Sequence, residues 1–256
     1  MRRSWFIKPR NSRAGKSDLT VENRSRSPAA RILLHFWHGW IRPVLPVLIV
    51  LFTFRGAVAD WMQVPSGSMR PTIMEGDRIW VNKLAFGLRV PFTSYWLSQW
   101  DGPARGEIVV FRSPKSGDVL VKRCVGLPGD TIEMRSNHLI INGEPVEIED
   151  APTAFSERMP NGMTVEQRVY PETLGAHQHP MTVTPRLAAE RDFGPVAVPA
   201  GKYWMMGDNR DRSADSRYFG FVPRDSLMGR SSRVFWSLDP DNWYLPRFSR
   251  WLRALP

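Results

Sequence analysis

The sequence has one cysteine and five histidines, and these low numbers exclude several kinds of site. A single thiol, Cys124, allows no disulfide within the chain. The histidines are not spaced like the ligands of an HExxH metal site, and there is no second cysteine to join them. His177 and His179 alternate in a proline-rich stretch, which favours solvated side chains over ligands. The residues therefore predict no metal ion.

Net positive charge is scarce outside the first part of the chain, although the formal net charge of the whole chain is +10. Residues 1–42 hold ten Lys and Arg and only two acidic residues, so the rest of the chain carries about +2. A basic stretch ahead of an apolar one is typical of a cytoplasmic tail before a membrane segment. A nucleic-acid-binding arm is the alternative. We predict that residues 1–36 form a disordered cytoplasmic tail and that nucleic acid is not a partner.

Long apolar runs are also few, and the best one, Val44–Phe54, is short and contains a proline. A bilayer needs about 20 mostly apolar residues, so an anchor must include the flanking residues, and we predict it at 37–61. Tryptophans bracket this segment, as interface aromatics do. Ala57-Val58-Ala59 also resembles the end of a cleaved signal, and it is a candidate self-cleavage site. A cleaved signal and an interfacial or buried helix remain alternatives to the anchor.

The rest of the chain has the pattern of a mainly β protein. Short strand-like runs, such as DRIWVNK (77–83) and VLVKRCV (119–125), alternate with Gly- and Pro-containing turns. A hairpin is indicated at HLIINGEPVEI, after which the stretch 152–195 looks loop-like and polar. We predict a catalytic β core, an inserted lobe and a tail. Their expected bounds are 62–135 with 197–240 for the core, 136–196 for the non-catalytic lobe and 241–256 for the tail.

The stretch PSGSMRPT (65–72) places two serines in a turn just after the apolar segment. A serine hydroxyl is a poor nucleophile unless a base takes its proton, and no histidine lies in a convincing context. Lys122 offers the other solution, because strand periodicity puts it on one face with Leu120 and Cys124, as the lone charge there. Burial would lower its pKa towards that of a general base. The alternative is a lysine that snorkels from a strand edge.

Four blocks appear in order: PSGSMRPT (65–72), RGEIVVF (105–111), VKRCVGLPGD (121–130) and MMGDNRDRSADSRYFGFVPRDSLMGR (205–230). Together they resemble the bacterial type I signal peptidases, or leader peptidases. These are membrane-anchored serine endopeptidases that cut signal peptides from exported preproteins. The resemblance covers roughly residues 40–240. It implies a β-rich catalytic core with an inserted smaller lobe after one transmembrane helix, and no cofactor.

The resemblance also implies roles for individual residues. Ser68 resembles the nucleophile and Lys122 the general base of a Ser-Lys dyad. Ser66 resembles the residue whose hydroxyl joins the Ser68 backbone N–H in the oxyanion hole. Further expected roles are orientation of the lysine by Ser213, support by the pair Asp215 and Arg217, and substrate-pocket walls formed by Val64 and Met69.

The expected partners are signal-peptide-bearing preproteins, cut after an A-x-A-type site, and the lipid bilayer. We expect a single-pass monomer in the bacterial inner membrane, with a cytoplasmic N-terminus and a periplasmic catalytic domain. Two alternatives remain at this point. One is a specialised maturation peptidase for a single exported substrate, and the other is a non-cleaving, membrane-tethered binding domain.

Overall fold

A computed structural model gives the fold of most of the chain. It describes residues 35–91, 93, 95–158 and 163–256. The expected basic tail, residues 1–36, lies almost wholly outside the described residues, so its disorder stays a prediction. By its internal contacts the chain divides into two units, Met1–Leu48 and Ile49–Pro256.

One long helix precedes the β structure. A π-helical stretch, Trp37–Ile41, leads into α1, Arg42–Ala57. The 21 residues from Trp37 to Ala57 are apolar enough to cross a membrane. At 1.5 Å per residue they measure about 31 Å, close to the roughly 30 Å of a bilayer core. Most side chains of this helix are exposed, as suits an apolar surface that faces lipid.

The helix ends four residues before the predicted limit at 61, because strand pairing begins at Ala59. Ala57 closes the helix and Ala59 opens the first strand, and both side chains are buried. A peptidase binds its substrate as an exposed, extended segment. The Ala57-Val58-Ala59 sequence is therefore a poor self-cleavage site in this fold.

Among the described residues after this helix there are eighteen strands and one further short α-helix, α2 (Ser216–Phe219), joined by loops and short 3₁₀ turns. The strands are β1 (Ala59–Gln63), β2 (Asp77–Asn82), β3 (Gly87–Arg89), β4 (Trp96–Gln99), β5 (Ile108–Arg112), β6 (Val119–Gly126), β7 (Thr131–Arg135), β8 (His138–Ile141), β9 (Glu144–Pro145), β10 (Glu147–Ile148), β11 (Thr153–Arg158), β12 (Thr164–Leu174), β13 (His177–Val183), β14 (Phe193–Ala197), β15 (Lys202–Met206), β16 (Val222–Pro223), β17 (Leu227–Asp239) and β18 (Leu245–Pro246). The expectation of a mainly β fold is confirmed.

The largest sheet is antiparallel and runs β1-β2-β17-β5-β6-β15-β16, with β18 paired to β17. It joins strands from both parts of the expected core. β1 and β6 are separated by three strands in this order, yet residues beside both of them line one cleft. The sheet must therefore curve strongly, as sheets that approach closure do.

The expected lobe is more regular than the sequence indicated. One four-stranded sheet has the order β14-β7-β8-β9, and another places β10, β11 and β13 around the long strand β12. The prediction that 152–195 is loop-like is wrong, because β11, β12 and β13 pair along most of it. The indicated hairpin is confirmed as β8 paired with β9, with Asn142 and Gly143 in the left-handed region at the turn.

The core sits on both faces of the large sheet. The four residues Ile108–Phe111 of β5 are all buried, so this strand has no solvated face. Ile108 and Val110 pack in one apolar cluster, and Val109 and Phe111 pack in another. This alternation follows the two-residue period of a strand. It explains why EIVVF reads as a continuous apolar run and why the strand next to it, β6, is also largely buried.

Candidate active site

The serine-containing turn is held tightly between β1 and β2. Gly67–Met69 forms a single 3₁₀ turn, closed by Arg70 N–H donating to the Gly67 carbonyl at 3.1 Å. Met69 is completely buried and, with Val64, packs in a core cluster under the turn. The apolar residues on either side of Ser68 thus fasten the turn to the core and leave its hydroxyl at the edge of the cleft.

Lys122 lies on β6, within hydrogen-bond distance of this serine. Its Nζ is 2.5 Å from Ser68 Oγ, and both side chains are buried. The two residues are 54 positions apart in the chain, so tertiary structure alone brings them together. The alternative of a snorkelling lysine is wrong, because only 3% of the Lys122 surface is exposed.

Burial lowers the pKa of Lys122 to about 8. The nearby charges of Asp215 and Asp208 oppose this shift, and Arg217 reinforces it. Removal from water therefore dominates, because a buried ammonium loses its hydration. A lysine with this pKa is neutral in a substantial fraction of molecules near pH 8 and can accept a proton from the hydroxyl beside it.

Ser66 stands on the other side of Ser68, where its Oγ is 3.4 Å from Ser68 Oγ. The cleft beside the three side chains is lined on one side by Met62–Ser66 and on the other by Val119–Lys122. Val64 is among its lining residues, as expected. Met69 is not, because the turn directs it into the core, and the expectation that it forms a pocket wall is corrected accordingly.

The loop after β15 holds the serine turn in place through hydrogen bonds to its backbone carbonyls. Asn209 N–H donates to the Ser68 carbonyl, and its side-chain amide donates to the Gly67 carbonyl, each at 3.1 Å. Gly207 lies so close that a Cβ there would strike the Ser68 carbonyl oxygen and Ser213 Oγ. A glycine is therefore required at this contact.

The other expected supporting residues surround this loop. Asp215 and Arg217 form a buried, two-pronged ion pair with both contacts at 2.8 Å, and Asp215 also accepts from Gly207 N–H. Ser213 is buried, but its Oγ has no hydrogen-bond partner among the described residues. Its expected role of orienting Lys122 therefore stays a prediction, whereas the pairing of Asp215 with Arg217 is observed.

A second buried pair adjoins Lys122. Arg123, next in β6, binds both oxygens of Asp208 at 2.8 Å, and Thr72 donates to the same carboxylate at 2.5 Å. Burial alone would raise the pKa of Asp208. Arg123, His179 and Thr72 outweigh it and hold that pKa at about 2. The carboxylate therefore stays ionised and ties the serine turn to β6 and to the loop after β15.

This network of buried charges continues into the lobe, and the sequence did not indicate that extension. His179 on β13 is buried, with Nδ1 3.5 Å from Asp208 and Nε2 3.1 Å from Glu172. Glu172 on β12 also binds Arg210. The expectation that His179 is solvated is wrong. The alternation in HQHPMTV is a strand signal that could have placed His179 on an inward face.

Within the described residues, no group of three or more His, Cys, Asp or Glu side chains could hold a metal ion. The chemistry available at the cleft is that of a serine hydroxyl, a neutralisable lysine and a second hydroxyl. These groups are the ones used by the serine hydrolases in which lysine takes the place that histidine has in others.

Comparison with known families agrees with this class. The model of the family described as "Signal peptidase, peptidase S26" matches residues 37–236. The chain belongs to this family. It is a peptidase of the type that removes signal peptides from exported preproteins.

Individual relatives extend over most of the chain. A signal peptidase I from Pseudomonas fluorescens is 34% identical over 97% of this chain and 88% of its own length. The corresponding protein of Pseudomonas aeruginosa is 37% identical over 80% of this chain and 75% of its own length. Signal peptidase I P of Bacillus subtilis subsp. natto is 32% identical over 78% of this chain and 89% of its own length. These relatives favour an active peptidase over the non-cleaving binding domain.

Proposed function

We propose that Ser68 is the nucleophile of this peptidase and that Lys122 is its general base. The observation that carries the proposal is the 2.5 Å contact between the two side chains in a buried site. Neutral Lys122 takes the hydroxyl proton as Ser68 attacks the scissile carbonyl. The resulting ammonium then protonates the leaving amine, and a water activated by the same lysine hydrolyses the acyl-enzyme.

The oxyanion that forms during attack is stabilised by the Ser68 backbone N–H and the Ser66 hydroxyl. Ser66 is close enough to act, since its oxygen lies 3.4 Å from the attacking atom. Donors fixed in place before the reaction stabilise developing charge more effectively than mobile water does. Asp215 and Arg217 support the loop that carries Ser213, and we assign Ser213 the orientation of Lys122.

The substrate lies extended in the cleft between the segments Met62–Ser66 and Val119–Lys122. Free backbone groups at a strand edge favour pairing with such a peptide. The lining is largely apolar and includes Val64, Ile79 and Val110. A narrow apolar cleft admits small side chains and excludes large ones, which accounts for cleavage after an A-x-A-type site. General processing of preproteins is the proposal, in preference to a single dedicated substrate.

Signal peptidase I enzymes are membrane enzymes, and this chain has one N-terminal apolar helix of spanning length. We place the protein as a single-pass monomer in the bacterial inner membrane. The basic residues of 1–42 keep the N-terminus in the cytoplasm, because positively charged flanks stay on that side. The β structure after Ala59 is then periplasmic.

The test is cleavage of a preprotein with an A-x-A site by full-length protein in detergent. Ser68→Ala should remove the covalent route, and Lys122→Met should lower kcat/KM by about 10²–10⁴-fold, the usual contribution of a general base. Wild-type kcat/KM should fall as pH drops through about 8, because Lys122 then becomes protonated.

Cys124→Ala is the matched control, since Cys124 lies on the same strand and is fully buried. Burial raises the pKa of its thiol, so the thiol stays protonated and unreactive. This variant should keep most activity. Substantial turnover by folded Lys122→Met, or inactivation by Cys124→Ala without unfolding, would contradict the assignment.

A further inference from the structure

A second cavity lies apart from the cleft and shares no lining residue with it. Its volume is about 470 Å³. The lining includes the cations Lys83, Arg89 and Arg112, one carboxylate, Asp225, and apolar surface from Ala57 and neighbouring side chains. A space of this size with several cations suits a ligand that has a negatively charged group beside an apolar part.

Two of the three cations have no carboxylate partner among the described residues. Arg89 donates to the Asp225 carbonyl at 2.7 Å, and Arg112 donates to the Gly117 carbonyl at 2.9 Å. Both bonds go to neutral backbone oxygens. Lys83 differs, because it is paired with Asp60 at 3.1 Å. Arg89 and Arg112 are therefore the side chains with positive charge to offer an anion.

The guanidinium group of Arg89 is held in a fixed position by its neighbours. The Trp96 ring stacks on its guanidinium, with 3.8 Å between guanidinium carbon and ring centroid. Its Nε is buried and has no hydrogen-bond partner in the described structure. Burial also lowers the pKa of Arg89, with Asp225 opposing the shift. A buried donor without a partner is unfavourable, and a bound acceptor would relieve that cost. Guanidinium groups are the preferred partners of phosphate oxygens.

The end of the apolar helix sets the height of this cavity relative to the bilayer. Gly56 and Ala57, the last two residues of the apolar helix, form part of its wall. A helix that crosses the bilayer ends at the headgroup layer, so the cavity opens where lipid phosphates lie. The β3–β4 hairpin that carries Arg89 also exposes Tyr95 and Leu97, which are suited to that layer. Soluble phosphates have no comparable reason to gather there.

We propose that this cavity binds the phosphate group of an anionic phospholipid, with Arg89 and Arg112 as its ligands. The lipid's apolar part lies against Ala57, Val90 and Met228. Lys83, whose charge is paired with Asp60, forms part of the wall and donates to the Arg55 carbonyl at 2.9 Å near the end of the helix. The site is separate from catalysis and recruits the lipid through charge and shape together.

The test is binding of phosphatidylglycerol to the full-length protein in a neutral detergent, counted by native mass spectrometry. Phosphatidylcholine serves as the zwitterionic comparison, and soluble glycerol phosphate as the competitor that distinguishes a free phosphate. Arg89→Gln/Arg112→Gln should weaken phosphatidylglycerol binding by about tenfold or more, because two charge-assisted contacts are lost. Glycerol phosphate should not displace the lipid from the wild type.

Arg135→Gln/Arg186→Gln is the matched control, which removes two exposed arginines elsewhere. It should bind phosphatidylglycerol like the wild type, and both double variants should cleave a short peptide at the wild-type rate. If the double variant unfolds, phosphatidylglycerol binding can be measured on Arg112→Gln alone. Arg112 is exposed, so this single change should leave the fold intact. Unchanged binding in folded cavity variants, equal loss in the control, or full displacement by glycerol phosphate would each overturn the proposal.

Discussion

At the scale of single residues, the position of Ser66 leads to a specific expectation about the rate of catalysis. Its hydroxyl is 3.4 Å from Ser68 Oγ, whereas Lys122 Nζ is 2.5 Å away. The shorter contact suits proton transfer in the free enzyme. The longer one leaves the Ser66 hydroxyl able to turn towards a carbonyl oxygen that carries charge only during the reaction. Ser66 should therefore matter for the transition state more than for binding of substrate.

Ser66→Ala should lower kcat by about 10²–10³-fold, the usual cost of one oxyanion-hole donor, and leave KM nearly unchanged. Steady-state kinetics on a preprotein substrate measures both parameters. Ser66→Thr, which keeps a hydroxyl, should recover part of the rate. A rise in KM at constant kcat would instead show that Ser66 contributes uniform binding to the substrate.

Ser68 and Lys122 could be singled out because each residue carries a local signal, and the family resemblance then paired them. Ser68 lies in a turn with small residues, and Lys122 interrupts an apolar alternation. The burial of His179 has a weaker local signal, the alternation in HQHPMTV, and that signal does not show which charged groups the histidine meets. Glu172 lies directly opposite His179 in the β12–β13 pair, whereas Asp208 comes from the loop after β15 and is supplied only by the tertiary fold. Without these partners in view, solvation is the reasonable expectation for a histidine among prolines.

At the scale of elements, the loop after β15 acts as a rigid support for the serine turn. Gly207 touches the Ser68 carbonyl, and the same backbone oxygen accepts from Asn209 N–H. Gly207→Ala must therefore displace the serine turn relative to the loop after β15. A misplacement of about 1 Å can cost roughly a hundredfold in rate.

We expect Gly207→Ala to lose at least that factor in kcat while the protein remains folded, as measured by cleavage kinetics beside thermal unfolding. Gly207→Val should be worse still, because the added bulk meets backbone that cannot move aside. Full activity in Gly207→Ala would mean that the contact with Ser68 relaxes freely and does not position the nucleophile.

The sheet of β12 and β13 supports the site through buried charges, although the sequence indicated a loop-like lobe there. Prolines and polar residues hid its strand pattern, since Pro171 and Pro180 lie directly opposite each other in the paired strands. Glu172 on β12 is completely buried. Burial opposes its ionisation, but Arg210 and His179 outweigh that effect and lower its pKa.

Glu172→Gln should destabilise the protein by about 3 kcal/mol, because it leaves Arg210 buried without its counter-charge. Thermal unfolding in detergent should show a melting temperature lower by roughly 6–12 °C. Glu166→Gln is the control on the same strand, since its pair with Arg168 is exposed and such pairs contribute little. Equal melting temperatures for the two variants would contradict a structural role for the buried network.

At the scale of the whole molecule, the proposed topology separates the basic tail from the β structure. In the Cys124→Ala background, Ser12→Cys should resist a membrane-impermeant maleimide in cells whose outer membrane is permeabilised. Lys115→Cys, in an exposed turn between β5 and β6, should react. Lysis of the inner membrane should expose both thiols. The reverse labelling pattern in intact cells would invert the proposed orientation.

The short connection between the helix and Ser68, the proposed nucleophile, has a geometric consequence for the substrate. Ser68 comes only eleven positions after Ala57, and β1 fixes five of the intervening positions by pairing with β2. An extended chain covers at most about 3.5 Å per residue, so Ser68 stands within roughly 40 Å of the helix end. For a helix that crosses the bilayer, Ser68 then stays near the membrane surface. We therefore expect cleavage to favour scissile bonds at a limited distance from the substrate's own apolar segment, in addition to the side chains around the cut.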